Sequence, residues 1–171
     1  MPSRTVQHTG RRCGRGHGTL PGGRAVWHNR SIPTGVEIAL NGTVGELERL
    51  AAEVAEFCRG NGLDEGVEFD LNLVLEELFI NTIRHGGCGD QADAARIRMR
   101  AAGDTVEVEY RDRGIPFNPL DAPEPNISAP FEERQPGGLG IHLVRQIMSD
   151  VRYRRSEGEN QLTMARRTES K

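Results

Sequence analysis

The sequence predicts an α+β fold: a two-layer sandwich with a mixed, mainly antiparallel sheet and helices on one face. Three observations carry this expectation. Apolar residues recur with a helical period in two early stretches and one late one. Between and after these stretches the period drops to two. The first period-two pair carries its charges along one side only, so only the other side is suited to meet helices.

The elements follow in order. Val36, Ile38 and Leu40 alternate with Glu37 and Ala39, which predicts a short strand. Thr43-Val-Gly-Glu46 has the form of a capping box and should open a helix. Its stripe is Leu47, Leu50, Ala51, Val54, Phe57 and Cys58, and Gly60-Asn61-Gly62 should stop it. A second helix is expected over 67–85, with Leu71, Val74, Leu75, Leu78 and Thr82 along one face and Gly86-Gly87 at its end. Ala95, Ile97, Met99 and Ala101 then alternate with three arginines, Gly103-Asp104 turns, and Val106, Val108 and Tyr110 alternate with Glu107, Glu109 and Arg111. This is an antiparallel hairpin whose solvated side pairs arginines with glutamates. A proline-rich connection over 112–137 is long for so small a domain, which marks it as functional. A third helix should begin near Gly138 with Val144, Ile147 and Met148 inward. Val151 and Tyr153, then Leu162 and Met164, predict a closing hairpin around Glu157-Gly158.

Charge divides the 171 residues. Residues 1–36 hold six arginines and no acid, whereas 37–171 hold 16 basic and 25 acidic residues. Residues 1–33 have almost no apolar periodicity, so a disordered basic tail is expected there, and a folded domain over 34–168. With Trp27 as its single aromatic residue, the tail has little with which to stack on bases, and direct nucleic-acid binding is not expected. No apolar run is long enough to span a membrane. Cys13, Cys58 and Cys88 are widely spaced, without a C-x-x-C, as suits reduced thiols in a cytoplasmic protein.

Twenty-one of the 22 basic residues are arginine, and the lone lysine is Lys171. That excludes a Walker-type P-loop, the strand lysine of typical protein kinases and a Schiff-base nucleophile. A phosphate-handling chain of this composition must rely on backbone amides, a metal ion or arginine.

Three clusters carry chemistry. In Glu76-Glu77-Leu-Phe-Ile-Asn81-Thr-Ile-Arg84-His85-Gly86, Glu77, Asn81 and His85 share one helix face. An Asn carbonyl is a hard oxygen ligand suited to Mg²⁺, and a carboxylate one turn away can accept a proton or hold a water. An ordinary polar helix face would look the same in isolation. In Asp112-Arg-Gly114-Ile-Pro116-Phe117-Asn-Pro119, Gly114 permits a sharp turn close to a ligand, and Asp112 at a strand end can accept from an exocyclic amine. A plain turn reads the same way. In Pro136-Gly137-Gly138-Leu139-Gly140-Ile141-His142, glycines at a helix start expose N–H groups toward which the helix dipole draws an anion. No strand precedes this run and position 143 is Leu, so it is not a dinucleotide fingerprint.

In order and spacing the three clusters resemble the N box and the two glycine boxes of the GHKL-type (Bergerat-fold) ATPases, and most closely the small anti-sigma factor serine-protein kinases among them. The resemblance covers about residues 35–167. It implies ATP and Mg²⁺ as cofactors, with Asn81 on the metal and Glu77 as the base for the attacking hydroxyl. Asp112 and Gly114 would meet adenine, Gly138 and Gly140 would offer amides to the phosphates, and Thr163 would support adenine through a water. Residues 119–137 would form a lid, with Arg134 near its end and Arg84 the other arginine in reach of the nucleotide. The implied partners are a sigma factor and an anti-sigma factor antagonist that is phosphorylated on serine, and the implied assembly is a homodimer. The alternative is a non-catalytic ATP-binding module that sequesters a partner protein. One departure is Pro116, where the wider family has a second glycine and this branch has proline.

Overall fold

A computed structural model describes residues 35–121 and 139–168. The expected tail, residues 1–33, and most of the expected lid lie outside the described residues. The elements are β1 (Gly35–Leu40), α1 (Glu46–Asn61), α2 (Glu65–Arg84), β2 (Ala95–Ala102), β3 (Thr105–Asp112), a 3₁₀ turn (Pro119–Asp121), α3 (Leu139–Ile147), β4 (Ser149–Ser156) and β5 (Glu159–Arg167). Their order is the one the periodicities predict.

The five strands form one sheet in the order β1-β2-β3-β5-β4. All four pairings are antiparallel, so the expected mainly antiparallel sheet is wholly so among the described residues. Both hairpin turns contain residues with positive φ, Gly103 at 63° in the first and Glu157 and Gly158 at 55° and 82° in the second. In the second, positive φ at both central residues gives a hairpin turn whose twist matches that of the strands.

The helices meet the sheet through one core. Leu50, Val54, Phe57 and Cys58 of α1 and Leu71, Val74, Leu75, Leu78 and Phe79 of α2 are buried with Ile97, Met99, Val106, Val108, Leu162 and Met164. Each fully buried Leu, Val or Phe contributes on the order of 1.5–3 kcal/mol. Thr82, the polar member of the inner face of α2, is buried because its Oγ1 lies 2.8 Å from the hydroxyl of Tyr110 on β3. Burial drives the Tyr110 phenol pKa far upward, so this hydroxyl stays neutral. The opposite sheet face is solvated. There Arg98 meets Glu37 at 2.8 Å and Glu109 at 3.8 Å, and Arg100 meets Glu107 at 2.6 Å.

The helix termini differ from expectation at one point. α1 does not begin with a capping box, since its N-cap is Gly45 and no side chain caps it. Glu46 instead accepts from Asn41 and Arg49, so the carboxylate needed to close the box is turned to the strand side. The C-terminus is as expected. Gly62 is left-handed, its N–H donates to Arg59 O and that of Leu63 to Cys58 O, a pairing that satisfies the last carbonyls. Asp64 caps α2 by accepting from the Val67 amide at 3.0 Å.

Candidate functional site

The C-terminal half of α2 supplies the first part of the site. Glu77 and Asn81 are half-buried and His85, the C-cap residue, is exposed. The Asn81 carbonyl accepts from the amides of His85 and Gly86, which ends the helix. Gly86 must be glycine, because a methyl group there would stand 2.6 Å from Thr82 O. The chain can then fold tightly under the helix end toward β3.

The second part is the end of β3. The amide of Ile115 donates to Gly86 O at 2.9 Å. A methyl group on Gly114 would stand 2.8 Å from Gly86 O, 2.8 Å from Asp112 Oδ1 and 3.0 Å from Gly86 Cα. Two glycines far apart in sequence therefore press together and bring Asp112 under the end of α2. Asp112 Oδ1 accepts from the Gly114 amide and from Asn160 Nδ2, each at 2.8 Å. No donor among the described residues reaches Oδ2, which is left as an acceptor. Burial pushes the Asp112 pKa up, and Glu159 adds to this. The bonds from Asn160 and Gly114 and the charge of Arg155 pull the other way.

The third part is the start of α3. Gly140 is buried in its first turn, and a methyl group on it would stand 2.1 Å from Glu77 Oε2 and 2.8 Å from Glu77 Cδ. The carboxylate thus lies directly against the helix start. Further along α3, Arg145 donates to the carbonyls of Pro119, at 2.9 Å, and Leu120, tying the helix to the 3₁₀ turn.

Of the residues the sequence singled out, the structure sets Gly114 against Asp112 and Gly140 against Glu77, while Asn81 lies one turn beyond Glu77 on α2, its backbone carbonyl holding the Gly86 amide. Gly138 and Arg134 lie outside the described residues, and Arg84 is exposed. Thr163 is a correction. It pairs with Glu109 in β3 and lines a shallow concavity of about 520 Å³ on the solvated sheet face with Arg98, Arg100 and Arg152. Strand alternation explains this: Leu162 and Met164 point to the helices, so Thr163 points away. The residue opposite Asp112 on the inner side is Asn160, which the sequence reading missed. A signal for it existed, since Asn160 has the parity of Leu162 and Met164 and is a polar residue in an apolar row.

The donors suit a purine nucleotide with its metal. An acceptor at a half-buried strand end fits an exocyclic amine. A side-chain carbonyl on Asn81, one turn from Glu77, suits a hard cation that arrives with phosphates, which needs few protein carboxylates. Among the described residues no cluster of three or more His, Cys, Asp or Glu could hold a metal independently.

The histidine kinase-like ATPase domain family matches residues 40–166. Serine/threonine-protein kinase BtrW of Bordetella bronchiseptica is 29% identical over 98 residues, which cover 57% of this chain and 69% of that protein. Serine-protein kinase RsbW of Listeria innocua is 28% identical over 100 residues, covering 55% of this chain and 62% of that protein. The chain thus spans about two thirds of the length of these relatives. The crystal structure of the RsbU and RsbW domains of Rv1364c from Mycobacterium tuberculosis shares the fold, with a TM-score of 0.59, 19% identity, and coverage of 81% of this chain and 33% of that one.

Proposed function

The chain belongs to the histidine kinase-like ATPase domain family, and on that premise we propose that it is an ATP- and Mg²⁺-dependent serine-protein kinase of the anti-sigma factor type. The observation that carries the reading is the Glu77 carboxylate lying against Gly140 at the start of α3, one helical turn from Asn81. A carboxylate able to accept a proton lies there against a helix start suited to phosphate, with the metal-suited side chain of Asn81 one turn further along α2. The adenine amine would donate to Asp112 Oδ2, with Gly114 and Gly86 leaving room by having no side chains. The amides of Gly138 and Gly140 would hold phosphate oxygens, and the amide oxygen of Asn81 would hold Mg²⁺. Mg²⁺ supplies neutralisation of phosphate charge. Glu77 takes the proton of the serine hydroxyl as its oxygen bonds to the γ-phosphorus and the bond to the β-phosphate oxygen breaks, releasing ADP. No lysine is required.

The partners in this reading are a sigma factor and an anti-sigma factor antagonist that accepts the phosphate, and the working assembly is a homodimer in the cytoplasm. No helix among the described residues is long and apolar enough to cross a membrane. The test is transfer of labelled phosphate from ATP to the antagonist by the purified protein. Glu77→Gln should keep ADP binding and lose transfer by about 10²-fold or more, the usual worth of a general base. Transfer undiminished in Glu77→Gln would overturn the base assignment. ATP binding without transfer by the unaltered protein would replace the kinase with a non-catalytic sequestering module.

A further inference from the structure

Asp112, Asn160 and Arg155 stand side by side across three strands, because Asn160 of β5 pairs with Asp112 of β3 on one side and with Arg155 of β4 on the other. The row is an acid, an amide and a base. The orientation of the amide is dictated from both ends. Its oxygen accepts from Arg155 Nη1 at 2.7 Å, from the Tyr153 hydroxyl at 2.8 Å and from the Phe117 amide at 3.4 Å. Its NH₂ group donates to Asp112 Oδ1 at 2.8 Å and Ile115 O at 2.9 Å. A flipped amide would face donors with donors and a carboxylate with an oxygen, so one orientation alone satisfies the network. Arg155 is itself held by the carbonyls of Gly114, at 3.0 Å, and Gly158, at 2.9 Å.

From this row we infer that Asn160 is the positioning residue that keeps Asp112 an open hydrogen-bond acceptor, and that it thereby sets the choice of a base bearing an amine over one bearing a carbonyl. The inference rests on the nucleotide-site reading above and deepens it. Asn160 conveys the influence of the Arg155 cation to Oδ1 while holding the guanidinium off. A direct Arg–carboxylate pair would commonly be bidentate and occupy both oxygens. With the amide interposed, Oδ1 is saturated and Oδ2 is left as the acceptor. The ionised form accepts from the amine of adenine and repels the carbonyl oxygen of guanine. Other titratable or charged groups around Asp112 are Glu159 on β5, Cys88 after α2 and Tyr110 on β3. None of these donates a hydrogen bond to the carboxylate.

The experiment measures displacement of a fluorescent ADP analogue by ADP and by GDP from the full chain as a function of pH, with thermal melts as the folding control. The variants are Asn160→Asp and Arg155→Met. Asn160→Asp sets a second carboxylate against Asp112, so the two share a proton. Its preference for ADP over GDP should fall about 10-fold or more, the worth of one hydrogen bond to a charged group. What preference remains should recover as pH rises and the shared proton leaves. Arg155→Met should lower the preference in the same direction by a smaller factor, and it carries the test if Asn160→Asp does not fold. A purely structural Asn160 would weaken ADP and GDP equally, and that result, in whichever variant folds, overturns the proposal. Failure of the unaltered protein to bind ADP would overturn the nucleotide site itself, and this proposal with it.

Discussion

Replacing Gly140 by alanine separates stability from catalysis. In a helix, alanine is favoured over glycine by roughly 0.5–1 kcal/mol. The new methyl group, however, would stand 2.1 Å from Glu77 Oε2, where ordinary contact begins at 3.4 Å. The carboxylate must retreat by about 1.3 Å. It is the free end of a flexible side chain and can do so by rotation, while Glu77 Cβ, 3.1 Å from the new methyl, needs the helices to give by only a few tenths of an ångström. The folded state should therefore change by less than about 1 kcal/mol, since the two effects offset. Catalysis has no such escape. A displacement of this size from a reacting group costs on the order of 10²-fold in rate. The assay is single-turnover transfer of labelled γ-phosphate to the acceptor protein, with ADP affinity and a thermal melt alongside. The expected result is a rate about 100-fold lower with ADP affinity within about 3-fold, because the adenine end is untouched. Transfer at the unaltered rate would refute the assignment of Glu77 to the chemistry. A fall in melting temperature beyond about 5 °C would refute the claim that the clash is absorbed by side-chain rotation and a slight shift of the helices.

Three further outcomes follow from the same geometry. Gly114→Ala meets backbone at Gly86 and cannot be relieved by rotation, so it should cost about 1–3 kcal/mol in a denaturant melt and abolish ADP binding; wild-type stability would show that the two glycines do not press together. Asp112 has its pKa raised by burial, so its contribution to stability is fully present below the unfolded value, 3.8, and is lost as pH rises through the folded value. Asp112→Asn should accordingly melt higher than the unaltered protein at neutral pH while losing nucleotide, with the gap closing in acid; a gap that widens in acid would contradict the burial argument. Tyr110→Phe leaves the Thr82 hydroxyl buried without its partner and should cost about 1–3 kcal/mol in chemical denaturation. Adding Thr82→Val should recover part of that, and strictly additive losses would show that the two hydroxyls are not coupled.

The fold was legible because every element is two-sided. Period 3.6 in Leu50–Cys58 and Leu71–Leu78 and period two in Ala95–Tyr110 each point one apolar face at the same core. The Arg98–Glu109 and Arg100–Glu107 neighbours followed from the hairpin register alone. The local motifs were legible for the same reason: Glu77 and Asn81 lie on one helix, and Asp112 and Gly114 on one turn. What escaped were facts of register and of tertiary contact. Thr163 and Asn160 differ by three positions, which on a strand means opposite faces, and a motif match does not count parity. The Thr43–Glu46 box failed because Asn41 and Arg49 compete for the Glu46 carboxylate. The approach of Gly140 to Glu77 joins residues more than sixty apart, and no local pattern encodes it.

The Thr82–Tyr110 pair, the Ile115–Gly86 bond and the Asp112–Asn160–Arg155 row have a joint mechanical consequence. Together they clamp α2, β3, β5 and β4 into a single block around the end proposed to read the base. The protein's own bonds hold that half together, so on the proposed reading docking of the base would call for no rearrangement and little ordering entropy. The other half depends on how α3 sits against Glu77, with Arg145 coupling the helix to the turn at Pro119–Leu120. A ligand would dock by its base on a finished surface, and the entropic cost of closure would fall on the end where its phosphates lie.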